Sequence, residues 1–401
     1  MPKLPPALRP LWPYAKRAYT VSTRAVAPAT MALSRRRGGV LPTRVAGTID
    51  EAAARSDALT VHPVAPAERI HRPVPVGDPA DLPTFARQTT ARFAPQRVLE
   101  LPGGRVLGPE RAVVTGDGML LHEVVRYFGA ARPYEHPMFL RPFGPPPTDH
   151  AGTVAVLASR GDGNYYHFLH DVVPRLALLE RCPEAGKPDV WYAPRRTRFQ
   201  RELLELLDLP EDRIVDAEAV PHLRAERLLV PTLPDLDLNH PHWSTQYLRD
   251  RLLPPDARPV PGRRIYVTRG SAPHTRILLD EDEVLASLDH FGFERIDPSA
   301  LSVVEQIRAF AEAEVILAPH GAALANLAFA GAGATVVELF APDFVQGCYW
   351  KLASTVPGLN YRYLVGEGRV GRFREGLGVS SDIRIAPRSL NSVIERVVRS
   401  R

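Results

Sequence analysis

From residue 97 to residue 339, short apolar runs closed by turns alternate with stretches whose apolar positions recur every three to four residues. Val154-Ala-Val-Leu-Ala158, Asp189-Val-Trp-Tyr192 and Arg213-Ile-Val215 have the composition of buried strands. Between them, Phe168, Val172, Leu176 and Leu179 repeat at helical spacing and predict an amphipathic helix over 165–182, and a second helix follows over 198–207. Strands at 97–101 and 111–115, separated by a Gly-rich turn, precede this block. A further alternation predicts strands at 264–268, 293–297, 315–318 and 335–339, with helices at 281–290, 302–312 and 322–330 between them and a closing helix at 388–399. Strand–helix alternation of this kind builds parallel sheets. A helix over 240–253 and the break at Pro254, Pro255, Pro259 and Pro261 mark the expected domain boundary.

The 401 residues exceed one ordinary core and fit two domains plus an extension. Expected divisions are a basic, Pro-rich extension over 1–95, Rossmann-like domains over 96–255 and 256–385, and a C-terminal helix over 386–401. Residues 1–48 hold Lys and Arg but no acid, and are expected as a partly disordered tail with a helix over 7–25, or as a basic arm against anionic lipid or an anionic polymer. Residues 50–95 suit a wrapping segment better than a domain. The net charge of +5 favours acidic ligands without requiring nucleic acid. Cys182 and Cys348, lacking CxxC spacing, argue against a zinc ribbon or a disulfide scaffold and fit a reducing cytosol. No apolar run reaches the roughly 18 residues of a membrane span, and Pro and Arg interrupt the basic N-terminus before a signal-peptide core can form. A cytoplasmic protein, peripheral to a membrane at most, is expected.

Three polar constellations stand at predicted strand ends. The first runs from Gly161 to Arg175: Asn164 suits a helix N-cap, and His167 and Asp171 are four apart on one helix face. A carboxylate beside an imidazole fixes its tautomer and raises its basicity, which is how a general base is built; a plain surface pair is the alternative. His170 points about 100° away from Asp171. The second is Thr268-Arg269-Gly-Ser271 with His274 and Arg276, whose guanidinium forks suit phosphate or, alternatively, Asp280 and Glu281. The third is Pro319-His320-Gly321-Ala322 with Asn326, followed by Glu338 at the next strand's end. An anion is well served where a parallel strand meets a helix N-terminus, and an acid on the next strand can hold ribose hydroxyls. A satisfied core histidine and a surface salt bridge are the bland alternatives.

These blocks resemble glycosyltransferase family 61 over roughly residues 97–375. The likeness rests on Asn164-Tyr165-Tyr-His167-Phe-x-x-Asp171-x-x-Pro174-Arg175, Arg264-Ile-Tyr-Val-Thr-Arg269 with Arg276, Gly292-Phe293, Leu301-Ser-x-x-Glu-Gln306-Ile, Pro319-His320-Gly321-Ala322-x-Leu-x-Asn326 and Val336-Val-Glu338. Phe168 stands where the family commonly has Trp. The resemblance implies a GT-B-like α/β fold, two Rossmann-like domains facing a cleft. It implies inverting transfer of a sugar from a nucleotide diphosphate to a polysaccharide or glycan hydroxyl, as in capsule building, with no obligatory metal or cofactor and no nucleic-acid partner. Asp171 and His167 would be catalytic, and Asn164, Tyr165, His170 and Arg175 would lie on the acceptor side. Arg269, Arg276, His320, Gly321, Ala322, Asn326 and Glu338 would hold the donor. A GT-B-like pyruvyl transferase or a non-catalytic binding protein are the rival expectations.

Overall fold

The computed structural model describes residues 11–36, 41–125, 132–141, 144–235, 237–270, 276–368 and 381–399. Ser271 and His274 lie outside the described residues. The chain divides into two compact units: Tyr14–Glu68 with Phe93–Asp237, and Arg69–Arg92 with Leu238–Arg401 and the described residues that precede Tyr14.

The first unit is built on a mixed sheet in which ten strands are described. Thr148–Val156, flanked by His222–Pro231 and Val190–Ala193, with Ile214–Asp216 outermost, forms the parallel part; the alternation predicts three of these strands, and His222–Pro231 is the addition. Upstream, Gln96–Pro102 and Arg105–Leu107 pair antiparallel with His222–Pro231, and Ala112–Val114 and Met119–Leu121 continue as a meander. Gln96–Pro102 and Arg105–Leu107 run the same way along His222–Pro231, and the direction alternates only from Arg105–Leu107 through Ala112–Val114 to Met119–Leu121, which are joined by turns of a few residues. The N-terminal segment is more ordered than expected: Trp12–Arg36 is one helix of 25 residues that places Ala27 and Met31 in this unit's core.

The second unit carries a six-stranded parallel sheet in the order Phe293–Ile296, Arg264–Val267, Val315–Pro319, Thr335–Phe340, Asn360–Val365, Val76–Asp78. The last strand comes from the wrapping segment. It fits because Gly77 has no side chain: a Cβ there would lie 2.2 Å from the Tyr363 ring. Phe85, from the same segment, packs edge-on to Trp350 at 5.3 Å and against Tyr363 at 4.7 Å. Helix Val303–Glu312 starts at a capping box, Ser302 with Glu305. Two expected helices differ in kind. The 281–290 stretch is helix Glu281–Ala286 followed by a short 3₁₀ turn, and Ala322–Phe329 is 3₁₀ throughout. The Pro-rich 254–261 stretch lies inside this unit, after helix His242–Leu252.

Candidate active site

In the second unit three neighbouring strands end together. Arg264–Val267 runs out into Thr268-Arg269, Val315–Pro319 into His320-Gly321, and Thr335–Phe340 lies beside the latter with Ala318 opposite Glu338. The His320 backbone N–H donates to the Leu339 carbonyl at 2.9 Å, which continues the ladder past the strand end and fixes where the imidazole leaves the sheet. Arg269 returns across this turn, its Nη1 donating to the His320 carbonyl at 3.0 Å. Gly321 is extended, at φ −178°, so backbone freedom is not its purpose. A Cβ there would stand 1.9 Å from Arg269 Nη1, and the absent side chain is what admits the guanidinium.

Arg276 enters from the following loop with φ +79°, a left-handed conformation that costs a non-glycine residue about 1–3 kcal/mol. Asp382 holds it there by accepting from the backbone N–H groups of Arg276 at 2.8 Å and Ile277 at 3.2 Å. The Arg276 guanidinium lies 5.4 Å from the Phe344 ring centre. The acids proposed as surface partners for these arginines are engaged elsewhere: Asp280 pairs with Arg384, and Glu281 with Arg295, Tyr266 and Thr268. Burial and the neighbouring Arg276 bring the Arg269 pKa down to about 10, and burial lowers that of Arg276. Two cations kept in a partly desolvated place raise the affinity of that place for an anion.

His320 is 5% exposed, with the rings of Phe340, Phe344 and Tyr349 centred 5.1–5.4 Å away. Burial, then Arg276 and Arg269, hold its pKa well below the usual histidine value. Its Nδ1 meets Glu338 Oε1 at 2.5 Å, and the other Glu338 oxygen accepts from the Tyr361 hydroxyl. Burial pushes the Glu338 pKa well up, against the Tyr361 bond and Arg276. Both shifts favour neutral forms, and a neutral Glu338 carboxyl can donate its proton to Nδ1. The imidazole then carries its own proton on Nε2 and can donate there.

Here the structure differs from expectation. Glu338 is 0% exposed, and its oxygens are directed to His320 and Tyr361 rather than to a ribose. Asn326 is also 0% exposed. It donates to Gln306 Oε1 at 3.3 Å and the Ala323 carbonyl at 3.1 Å, tying the 3₁₀ turn to helix Val303–Glu312 and away from any ligand. Ala322 is half-buried at the start of that turn. Tyr361, Tyr349, Phe344 and Asp382 were not singled out in the sequence. Tertiary packing brings Phe344 and Tyr349 to His320, Tyr361 to Glu338 and Asp382 to the Arg276 backbone, and no local spacing announces it.

In the first unit, the parallel strand Thr148–Val156 leads into the polar turn at Gly161–Asn164. Asn164 caps the helical turn beyond it, its Oδ1 accepting from the Tyr166 N–H at 2.9 Å. The expected continuous helix is interrupted. Tyr165–His167 is a single α turn, Phe168–Val172 is π, and Arg175–Glu180 is α again. Pro174 lacks an N–H and cannot continue an α ladder, and the Val173 N–H reaches back five residues to Phe168 O at 3.1 Å. His167 Nδ1 and Asp171 Oδ2 meet at 2.9 Å, with 17% and 12% of their side chains exposed. Tyr165 is half-buried near Phe199.

His170 and Arg175 sit deeper than an acceptor-facing role allows. His170 is 3% exposed beside the Tyr166 ring. Arg175 is 2% exposed and donates to Pro231 O at 2.6 and 2.9 Å and to Ala158 O at 2.6 Å, bracing two strand ends. Burial lowers its pKa to about 9, with the Asp171 charge opposing. The two cations and the imidazole of the second unit can hold a diphosphate and stabilise its departure. The His167–Asp171 couple can take a proton.

The family model described as Glycosyltransferase 61 matches residues 165–337, a stretch that opens on the His167–Asp171 segment and closes one residue short of Glu338. Comparison with curated proteins finds no match.

Proposed function

Since this chain is a glycosyltransferase, with a family 61 domain over residues 165–337, we propose that it transfers a sugar from a nucleotide diphosphate to a glycan hydroxyl with inversion. The observation that carries the reading is the pair of half-buried guanidinium groups and the His320 imidazole gathered around Gly321, where a Cβ would collide with Arg269. As in GT-B enzymes, the second unit is assigned the donor and the first the acceptor. Asp171 takes the acceptor hydroxyl's proton, with His167 orienting the carboxylate. The oxygen attacks the anomeric carbon from the face opposite the nucleotide. The carbon–oxygen bond to the diphosphate breaks, and its electron pair stays on the diphosphate oxygen. Arg269, Arg276, His320 Nε2–H and the N–H groups that follow Gly321 receive that charge, in the role a metal ion plays elsewhere. Glu338 and Tyr361 orient His320, and Arg175 secures the base-bearing segment from below. A bacterial surface polysaccharide is the acceptor class proposed, with the reaction on the cytoplasmic side.

The test pairs two variants with a panel of nucleotide sugars. Asp171→Asn should lower kcat by about 100- to 10,000-fold and leave donor affinity unchanged. Arg276→Ala should weaken nucleotide diphosphate binding and cost about 3 kcal/mol in kcat/KM. Near-normal transfer by Asp171→Asn removes the base assignment, and unchanged nucleotide affinity in Arg276→Ala removes the donor site.

A further inference from the structure

The N-terminal helix Trp12–Arg36 is folded inside out for a surface helix. Its buried line is Thr20, Thr23, Ala27, Thr30, Met31 and Ser34, four of them hydroxyl residues. Two of those hydroxyls are anchors: Thr30 Oγ1 donates to Phe139 O and Ser34 Oγ to Leu41 O, each at 2.7 Å, while Thr23 Oγ1 bonds back to Thr20 O within the helix. At about 100° per residue the opposite face carries Tyr14, Ala18, Val21, Ser22, Ala25 and Ala32 and ends on Arg36, with Tyr19 and Val26 along one edge and Arg17, Arg24 and Arg35 along the other. Tyr14, Tyr19, Val21 and Val26 are 40–52% exposed and, with Leu11 just before the helix at 57%, make up half of the large hydrophobic side chains that are exposed among the described residues. Scattered exposed apolar residues are ordinary; a concentration on one helix marks a surface with a partner.

The charge around this face selects the partner. Residues 1–49 contain nine Lys and Arg and no acid. Arg17 and Arg24 approach the buried Glu135 at 3.7 and 4.0 Å while remaining 59% and 45% exposed. A second copy would set like charge against like charge, whereas an anionic bilayer accepts apolar side chains below its phosphates and guanidinium groups among them. No described helix is long and apolar enough to cross a membrane. We propose that this helix lies in the plane of an anionic membrane surface, its Tyr14–Val21–Ala25 face in the headgroup boundary and its arginines on lipid phosphates.

Co-sedimentation of the full chain with phosphatidylcholine vesicles, alone or mixed with phosphatidylglycerol, tests this without donor or acceptor, so the outcome is separate from that of the transfer assay. The chain should pellet with the mixed vesicles only, and less so at high salt. Arg36→Gln should weaken binding about fivefold, as expected for one basic residue at such a surface. The triple variant Tyr14→Ser, Val21→Ser, Val26→Ser should lose at least about tenfold while keeping its thermal transition. Three results overturn the proposal: wild-type chain left in the supernatant with mixed vesicles, equal binding by the folded triple variant, or a wild-type dimer that the triple variant dissociates. If the triple variant fails to fold, the salt dependence and Arg36→Gln still decide.

Discussion

Glu338 can serve His320 as a carboxylic acid donating to Nδ1 or as a carboxylate accepting from it, and the two forms predict different mutants. Its pKa is driven up by burial and that of His320 down, a pair of directions that favours the acid. Glu338→Gln can place an amide N–H toward Nδ1 and still accept from Tyr361, so it should retain most of the transfer rate. Glu338→Ala releases the ring and should cost up to about 100- to 1,000-fold in kcat, the value of one lost donor. Steady-state kinetics on the two variants separate the forms, and equal losses exclude the acid. Gly321 gives a second residue-scale prediction. With a Cβ standing 1.9 Å from Arg269 Nη1, Gly321→Ala should expel the guanidinium, weakening nucleotide diphosphate binding about 100-fold with little change in melting temperature. Calorimetric titration with a nucleoside diphosphate checks it. The types His, Gly and Arg were legible in the sequence as anion-binding chemistry. The Tyr361 bond was not, because it joins residues on adjacent strands whose register no local pattern states.

At the scale of elements, periodicity located seven strands of the parallel sheets, but Thr148–Val156 begins six residues before its expected start and His222–Pro231, Asn360–Val365 and Val76–Asp78 were not expected at all. The 322–330 stretch carries a helical composition but folds as 3₁₀, packed so tightly that Leu324–Phe329 are fully buried. The 165–182 helix contains a π segment because Pro174 breaks the α ladder, a constraint visible in the sequence whose outcome was not. Where local signals and structure agree, the energetics are simple. Ser302→Ala removes one half of the capping box of Val303–Glu312 and should lower stability by about 1 kcal/mol in urea unfolding, with kcat unchanged. A loss of activity comparable to that of Gly321→Ala would show that this helix also positions the 3₁₀ turn through Gln306 and Asn326.

Across the whole molecule, the dependence of stability on pH is set by which buried groups stay neutral. His136 is buried completely, and burial with the nearby His122 lowers its pKa to about 3. Its contribution is fully present above the unfolded value near 6.5 and is lost as pH falls toward 3. By pH 4 the loss should reach about 3 kcal/mol. Glu338 works in the opposite sense, its contribution being full below the unfolded value near 4.5 and lost as pH rises through its elevated folded value. Urea unfolding at pH 7 and pH 4 should show the His136 loss, and His136→Asn, which keeps a side-chain acceptor for the Met138 N–H, should flatten it. The sequence by itself determined the α/β class, the strand ends where polar residues collect and the chemistry of those residues, because periodicity and residue type are local properties. Only the tertiary structure decided that residues 76–78 complete the second sheet, that Glu338 belongs to His320 and Tyr361, that Arg175 and Asn326 brace the fold, and that the N-terminal helix turns its hydroxyls inward. Each of those depends on which distant segment lies alongside, and packing and register settle that.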